Sequence, residues 1–242
     1  MRNIKLLLEY DGTNFHGWQF QPGLRTIQGE IQNALKIIVK NEINVIGAGR
    51  TDTGVHARGQ VANFLIDHPM PVNTITAALN GNLPRDVRII SAKEADENFH
   101  ARFDAIKRHY SYTITRQEKA IDRFYVWCHK SELNIEKIQQ ASEYLLGEHD
   151  FKAFCHADEN ANHYRCFVEK IEWEQNDELI ILSIIANRFL HNMVRIIVGT
   201  MINVGRGYTT VDEIPRILES LDRSKAGPTV PAKGLCLEKV YY

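Results

Sequence analysis

The sequence lacks a long apolar segment. None of its apolar runs approaches the roughly 18 residues that a membrane-spanning helix needs, and the longest, Leu179–Ala186, is typical of a buried strand. The first residues run directly into the strand-like segment Ile4–Glu9, without the arrangement of a secretory signal. We therefore expect a cytoplasmic protein that does not enter a membrane.

Clustered metal ligands and cofactor signatures are also missing. Cysteine occurs four times without a Cys-x-x-Cys pair, and the ten histidines include no His-x-x-x-His pair, which favours free structural thiols over a metal site. Asp52 stands where a dinucleotide-binding fingerprint starting at Gly47 would need glycine, and neither a P-loop nor a Gly-x-Ser-x-Gly elbow occurs. We expect no metal and no small-molecule cofactor. The thiols are those of Cys128, Cys155, Cys166 and Cys236.

Nor is there an excess of basic charge. The 242 residues carry a net charge of −1, whereas a nucleic-acid-binding domain often has a basic excess that replaces counterions on phosphates. Basic residues are nevertheless concentrated in two places, so a basic groove on a neutral protein is compatible with the composition. The two groups are Arg102, Lys107, Arg108, His109 and Arg116, and Arg188, His191, Arg195 and Arg206.

The first half of the chain alternates strand and helix patterns. Asn3–Tyr10 reads as a strand, Thr26 as the cap of an amphipathic helix, and Gln60–Ile66 and Val87–Ala92 as further strands. With a short strand near Ile43–Ile46 and a second helix capped by Asn73, the order is β-α-β-β-α-β, the unit of ferredoxin-like folds.

The second half allows the same interpretation with insertions. Strands are expected at 105–115, 166–174, 179–186 and 235–241, and helices after Asn134, over 189–204 and over 211–221. We therefore expect an α+β protein of two ferredoxin-like or RRM-like halves, residues 1–104 and 105–242, with mainly antiparallel sheets facing a central cleft. A four-stranded sheet with exposed aromatic side chains is a common RNA-binding surface.

The most unusual stretch is the loop from Gly47 to Ala57, which has three glycines and several small polar residues between two apolar strands. Arg50 and Asp52 lie two residues apart in it, and a neighbouring cation keeps a carboxylate ionised. Two interpretations stay open on the pattern alone. The pair closes the loop as a structural salt bridge, or Asp52 serves as a nucleophile or base.

Several segments of the sequence resemble the TruA family of tRNA pseudouridine synthases. Gly49–Ala57 resembles the family signature, and eight further segments occur in the family's order over nearly the whole chain. These are Tyr10–Thr13, Phe15–Gln19, Thr26–Glu30, Phe99–Phe103, Lys107–Tyr112, Phe189–Arg195, Val198–Gly199 and Ala232–Leu235.

The resemblance implies a cofactor-independent isomerase that converts uridine to pseudouridine at positions 38, 39 and 40 of the tRNA anticodon stem-loop. It also implies a homodimer in which one tRNA spans both subunits. Asp52 is then the catalytic carboxylate, Arg50 pairs with it or guides base extrusion, and Arg195 holds it from the other half. Tyr110 contacts the target base, Leu235 lines an apolar wall, and the phosphate contacts fall to Arg102, Lys107 and Arg108.

Two other functions were weighed against this one. A non-catalytic RNA-binding module of two RRM-like halves needs no Asp52 beside Arg50. An Asp-nucleophile phosphohydrolase requires a second Asp two residues on, where Gly54 stands. Thr53 and His109 depart from residues common in the TruA family, which affects only the expected substrate preference.

Overall fold

The computed structural model describes residues 1–157, 163–176 and 178–242. They form two compact α+β units, unit 1 with residues 1–106 and 236–242, and unit 2 with residues 107–235. Among these residues, no helix combines the length and the apolar character needed to cross a membrane.

Unit 1 consists of a mainly antiparallel sheet and two helices. The elements are β1 (Arg2–Tyr10), α1 (Ile27–Val39), β2 (Ile46–Gly47), β3 (His56–Ile66), α2 (Val72–Asn82), β4 (Val87–Ala95) and β10 (Leu235–Tyr241). Strand β3 pairs antiparallel with β1 along one edge, and β1 pairs antiparallel with β4. The other edge of β3 is shared, since β2 pairs with it at Ala62–Asn63 and β10 pairs in parallel with it at His56–Ala57.

Local chemistry accounts for the helix boundaries in unit 1. The Thr26 side chain accepts a hydrogen bond from the N–H of Gly29, as the sequence predicted, and so satisfies one of the unpaired N–H groups at the start of α1. The second helix differs from expectation because it begins at Val72, after Pro71, and has no side-chain cap. Proline suits this position since it has no N–H to leave unpaired.

Unit 2 contains an antiparallel sheet in the order β5-β9-β8-β7, with β6 added in parallel to β5. Asn134 caps its first helix by accepting from the N–H of Lys137, again as predicted. The elements are β5 (Lys107–Thr115), β6 (Trp127–Cys128), α3 (Ile135–Glu143), β7 (Gly147–Asp150), β8 (Arg165–Gln175), β9 (Leu179–Ala186), α4 (Met193–Gly205) and α5 (Glu213–Ser220).

The division of the chain differs from the predicted halves at the C-terminal strand. Residues 105–242 were expected in one half, but residues 236–242 belong to unit 1. The reason is the parallel pairing of Cys236 with His56 and of Leu237 with Ala57. Ile106 also differs from expectation, because it is exposed and its N–H donates to the carbonyl of Tyr241 instead of extending β5.

Candidate active site

Asp52 opens a tight turn in the loop between β2 and β3. The N–H of Val55 donates to the carbonyl of Asp52 at 3.1 Å and closes the turn. Gly54, the third residue of the turn, has φ +78°, a left-handed conformation that glycine adopts without steric penalty. The glycine at position 54 therefore fixes the backbone direction immediately after the carboxylate.

A second loop, residues 11–18 after β1, holds the backbone on both sides of Asp52. The N–H of Trp18 donates to the carbonyl of Thr51 at 3.0 Å, and the N–H of Gly54 donates to the carbonyl of Phe15 at 3.3 Å. Backbone bonds of this kind restrict the few dihedral angles that set the position of a loop residue. The carboxylate thus lies on a segment braced before and after it.

Two glycines allow the loops to approach so closely. A Cβ at Gly12 would lie 2.0 Å from the carbonyl oxygen of Val55, and a Cβ at Gly17 would lie 2.6 Å from the carbonyl oxygen of Thr51. Gly17 also has φ +84°. Both distances are far below a van der Waals contact, so any side chain at these positions would push the Asp52 turn away.

A buried network of polar side chains also holds the loop that carries Asp52. The hydroxyl groups of Tyr10 and Thr51 are 2.8 Å apart, and the Gln60 side-chain amide donates to the carbonyl of Gly49 at 2.9 Å and to the Tyr10 hydroxyl at 3.4 Å. Burial raises the pKa of Tyr10 well above its ordinary value, so the phenol keeps its proton. Tyr10, Thr51 and Gln60 are all buried, where polar groups without partners are costly.

His56 joins the end of the loop to the start of residues 11–18. Its Nδ1 accepts a hydrogen bond from the N–H of Gly12 at 3.0 Å and lies 3.2 Å from Oδ1 of Asp11. One nitrogen cannot accept an N–H and carry a proton of its own, so the Gly12 bond assigns the ring proton to Nε2. Asp11 meanwhile accepts from both the N–H and the hydroxyl of Thr13, which orders the second loop.

Asp52 is half-buried and Arg50 is exposed. The predicted ion pair between their side chains stays a prediction. Backbone hydrogen bonds hold the loop that carries both residues, and a carboxylate positioned on a rigid turn is suited to act as a nucleophile or a base.

Arg195 and Tyr110 are ordered within unit 2. Arg195 lies in the first turn of α4, where its Nε donates to the carbonyl of Val230 at 2.7 Å and its Nη1 donates to the Asn192 side chain at 2.5 Å. Tyr110 is a buried residue of β5, and its ring meets Phe189 edge-to-face with centroids 5.1 Å apart. Each side chain is therefore held by local contacts in one orientation.

Leu235 is positioned by the short turn that precedes it. A Cβ at Gly234 would lie 2.7 Å from the Tyr112 ring, and the Tyr112 hydroxyl donates to the carbonyl of Pro231 at 2.7 Å. Leu235 follows this turn and is buried. The Ala232–Leu235 segment is thus packed onto β5, and its glycine is explained by the close approach of an aromatic ring.

The predicted phosphate contacts are in different environments. Lys107 forms an ion pair with Glu169 at 2.8 Å, and Arg108 donates to the carbonyl of Asn187 at 2.7 Å, both within unit 2. Arg102 belongs to unit 1 and is exposed. Lys107 and Arg108 thus each have a partner within unit 2.

The sequence did not single out the residues that support the Asp52 turn. Tyr10, Thr51, Gln60 and His56 were counted as parts of motifs or strands. The available signal was the pair of glycines at positions 12 and 17, since glycines outside a turn of known type often mark a close backbone approach.

Comparison with known proteins identifies the family. The family model described as tRNA pseudouridine synthase matches residues 7–104 and 141–242. The chain is 44% identical to tRNA pseudouridine synthase A 2 of Clostridium perfringens and 46% identical to tRNA pseudouridine synthase A of Clostridium botulinum, over 100% of each chain. The chain belongs to the tRNA pseudouridine synthase family.

Members of the tRNA pseudouridine synthase family are isomerases that act on tRNA, and this function agrees with the resemblance of the sequence motifs. Solved structures are more distant. An H/ACA ribonucleoprotein bound to a substrate RNA containing 2′-deoxyuridine is 12% identical, with a TM-score of 0.37 over 82% of this chain and 53% of that chain. We draw nothing from that likeness.

Proposed function

We propose that this chain isomerises uridine to pseudouridine at positions 38, 39 and 40 of the tRNA anticodon stem-loop, with Asp52 as the catalytic carboxylate. The observation that carries the proposal is the turn beginning at Asp52, braced from both sides by backbone bonds. Many carboxylates stabilise a fold, but few lie on a turn that two glycine-dependent contacts hold in place.

The reaction needs little more than a positioned carboxylate and a dry pocket. The C1′–N1 bond breaks, the uracil turns, and a C1′–C5 bond forms. The C5 proton is lost and N1 gains a proton, so atoms and electrons balance without an oxidant, a reductant or a cofactor. Asp52 begins the sequence by attacking C1′, by adding to C6 or by removing the C2′ proton, and all three routes use an ionised carboxylate.

The base must leave its stack before it reacts. Extrusion costs a few kcal/mol, which a stacking aromatic side chain can offset. We assign this role to Tyr110, with Arg195 supporting Asp52, Leu235 as an apolar wall that retains the detached uracil, and Arg50 as a guide for the extruded base. The exposure of Arg50 favours a contact with RNA over a structural ion pair.

One active site that serves three neighbouring positions implies recognition of shape rather than of base sequence. Arg102, Lys107 and Arg108 are proposed to contact the phosphate backbone. We also propose that the protein is a cytoplasmic homodimer. A dimer combines two modest basic surfaces into one groove, which suits a chain with a net charge of only −1.

The decisive experiment replaces Asp52 by asparagine. Wild-type protein is incubated with unmodified tRNA transcript, and pseudouridine is mapped by carbodiimide treatment and primer extension. Asp52→Asn should abolish product while tRNA affinity stays within about tenfold, because the amide keeps the shape of the side chain but cannot act as nucleophile or base. Asp67→Asn, at an exposed carboxylate of unit 1, is the matched control and should be fully active.

Turnover by Asp52→Asn would refute the assigned role. If pseudouridine forms at positions other than 38, 39 and 40, the proposed isomerase activity stands but the proposed site on tRNA is wrong. Sedimentation velocity of the wild-type protein tests the homodimer separately.

A further inference from the structure

Phe103 is an aromatic side chain presented to solvent on the turn that follows β4. It is 74% exposed, the largest exposed fraction among the Phe, Trp and Tyr residues of unit 1. The neighbouring His100 ring lies 4.3 Å from the Phe103 ring, centroid to centroid, with 30° between the planes. The Arg102 guanidinium carbon lies 5.6 Å from the same ring.

The turn that carries Phe103 is closed by its own hydrogen bonds. The N–H groups of Arg102 and Phe103 both donate to Nδ1 of His100 at 3.2 Å. The N–H of His100 donates to the Asp104 carboxylate at 2.9 Å, and the N–H of Asp104 donates back to the carbonyl of His100 at 3.1 Å. Such a turn limits the directions in which the Phe103 side chain can point.

Two buried asparagines and the C-terminal tyrosine anchor this turn within unit 1. The Asn3 side-chain amide donates to the carbonyl of Phe99 at 2.8 Å, and the Asn63 side chain accepts from the N–H of Ala101 at 2.9 Å. The Tyr242 hydroxyl donates to the carbonyl of Ala101 at 2.7 Å. Phe103 is therefore exposed but held on a rigid support, which lowers the entropy lost when it binds something.

Tyr208 shows what distinguishes Phe103 from another exposed aromatic residue. Its ring is 68% exposed, but the Arg206 guanidinium lies 4.3 Å from the ring centroid and also donates to the hydroxyl at 2.6 Å. That aromatic residue already interacts with its own cation. Arg102 lies farther from the Phe103 ring, at 5.6 Å, so more of that ring faces solvent while a positive charge stays nearby.

We infer that Phe103 is a stacking platform for an unpaired RNA base, with Arg102 facing the adjacent phosphate. Aromatic side chains beside cations are the usual means by which proteins hold unpaired nucleotides, because every base has a π-face. The base is not the uridine that reacts, for which Tyr110 is proposed. This inference rests on the proposed function, since it takes RNA as the ligand.

Substitutions at Phe103 separate stacking from other uses of an exposed ring. Affinity for unmodified tRNA transcript is measured by fluorescence anisotropy at fixed salt. Phe103→Ala and Phe103→Leu should each weaken binding by roughly 5- to 150-fold, the usual loss when one base–aromatic stack is removed. Phe103→Trp and Phe103→Tyr should bind within about threefold of wild type, because both keep a flat π-face.

The control is Ile121→Ala, which removes an 87% exposed apolar side chain from unit 2 and should leave tRNA affinity unchanged. An anticodon-loop oligonucleotide with 2-aminopurine in place of an unpaired base provides a second readout. Its fluorescence should be quenched by the wild-type protein and less so by Phe103→Leu.

Two outcomes would overturn the inference. If Phe103→Leu binds as wild type does, an apolar contact rather than stacking is at work. If Phe103→Ala changes the sedimenting species without changing the affinity per protomer, the ring belongs to an interface with a second copy. Pseudouridine formation is measured on the same preparations to separate this inference from the proposed function. If the wild-type protein forms pseudouridine but substitutions at Phe103 leave tRNA affinity unchanged, only the stacking role of Phe103 is refuted.

Discussion

The hydroxyl of Tyr10 lies 2.8 Å from the hydroxyl of Thr51, the residue immediately before Asp52. This contact connects the end of the first strand to the loop that carries Asp52. Both side chains are buried, so the bond forms where water cannot replace it.

Tyr10→Phe should therefore affect both stability and turnover. The change removes the hydroxyl that partners Thr51 and Gln60, and leaving buried polar groups unsatisfied costs about 1–3 kcal/mol of unfolding free energy. We expect kcat to fall roughly 5- to 50-fold with little change in KM, since the loss is in the positioning of Asp52. Urea unfolding and steady-state kinetics test this, and Tyr144→Phe, at an exposed tyrosine, is the control. Wild-type values for both quantities would contradict the role of the contact.

A second prediction compares two glycines that both have a left-handed backbone. Gly17 has φ +84° and Gly23 has φ +76°, but only at Gly17 would a Cβ meet another atom, the Thr51 carbonyl oxygen at 2.6 Å. Gly23→Ala should lose about 1 kcal/mol through backbone strain alone. Gly17→Ala should lose more than about 3 kcal/mol, or fail to fold, because the Asp52 turn must move. If both variants lose the same unfolding free energy in urea denaturation, residues 11–18 and the Asp52 loop can move apart at little cost.

Tyr110→Phe distinguishes the ring of Tyr110 from its hydroxyl. The ring packs edge-to-face on Phe189, and phenylalanine would keep that packing. If Tyr110 acts by stacking on the target base, kcat/KM should fall less than about tenfold in Tyr110→Phe and far more in Tyr110→Leu. Complete loss in Tyr110→Phe, with unchanged urea unfolding, would instead assign a chemical role to the hydroxyl.

The salt dependence of tRNA binding tests the proposed phosphate contacts. Arg102→Gln and Lys107→Gln should each reduce the slope of log K against log salt concentration by about 1, because one fewer condensed counterion is released. Lys36→Gln serves as the control, since Lys36 forms an exposed ion pair with Glu42 on unit 1. An unchanged slope for either variant would contradict a phosphate contact by the substituted residue.

Two buried thiols, Cys155 and Cys166, and the half-buried thiol of Cys236 predict a loss of stability at alkaline pH. Burial raises the pKa of Cys155 to about 11 and of Cys166 and Cys236 to about 12, whereas an unfolded cysteine ionises near 8.5. Their contribution is full below about pH 8.5 and declines as pH rises toward the folded values, because only the unfolded chain releases the protons. Urea midpoints at pH 7.5 and 9.5 should differ less in a variant with alanine at all three positions. Rapid alkylation of all three thiols in the native protein at pH 8 would contradict their burial.

The features of the fold that could be predicted from the sequence are those determined by residues close together in the chain. Thr26 and Asn134 were identified as helix caps because a cap depends on residues three positions away. The two-residue strands β2 and β6 have too little periodicity to be recognised well. The return of residues 236–242 to unit 1 is a pairing across about 180 residues, and no local pattern encodes it.

In the candidate site, too, local features could be predicted from the sequence and long-range contacts could not. The glycines around Asp52 marked a tight loop, and the loop forms a tight turn at Gly54. The ion pair predicted between Arg50 and Asp52 stays a prediction, whereas the backbone hydrogen bonds from residues 11–18 that hold the turn were not predicted. Those bonds join segments far apart in sequence, so spacing within the loop could not predict them.

The parallel pairing of β10 with β3 affects how the protein matures on the ribosome. The segment that covers the edge of β3 beside the Asp52 loop emerges only after all of unit 2 has been translated. At the usual elongation rates of about 5–20 residues per second, unit 1 waits for several seconds or longer with that edge uncovered. Nascent chains therefore carry a fully translated unit 2 before β10 can pair with β3 at His56 and Ala57, beside the Asp52 loop.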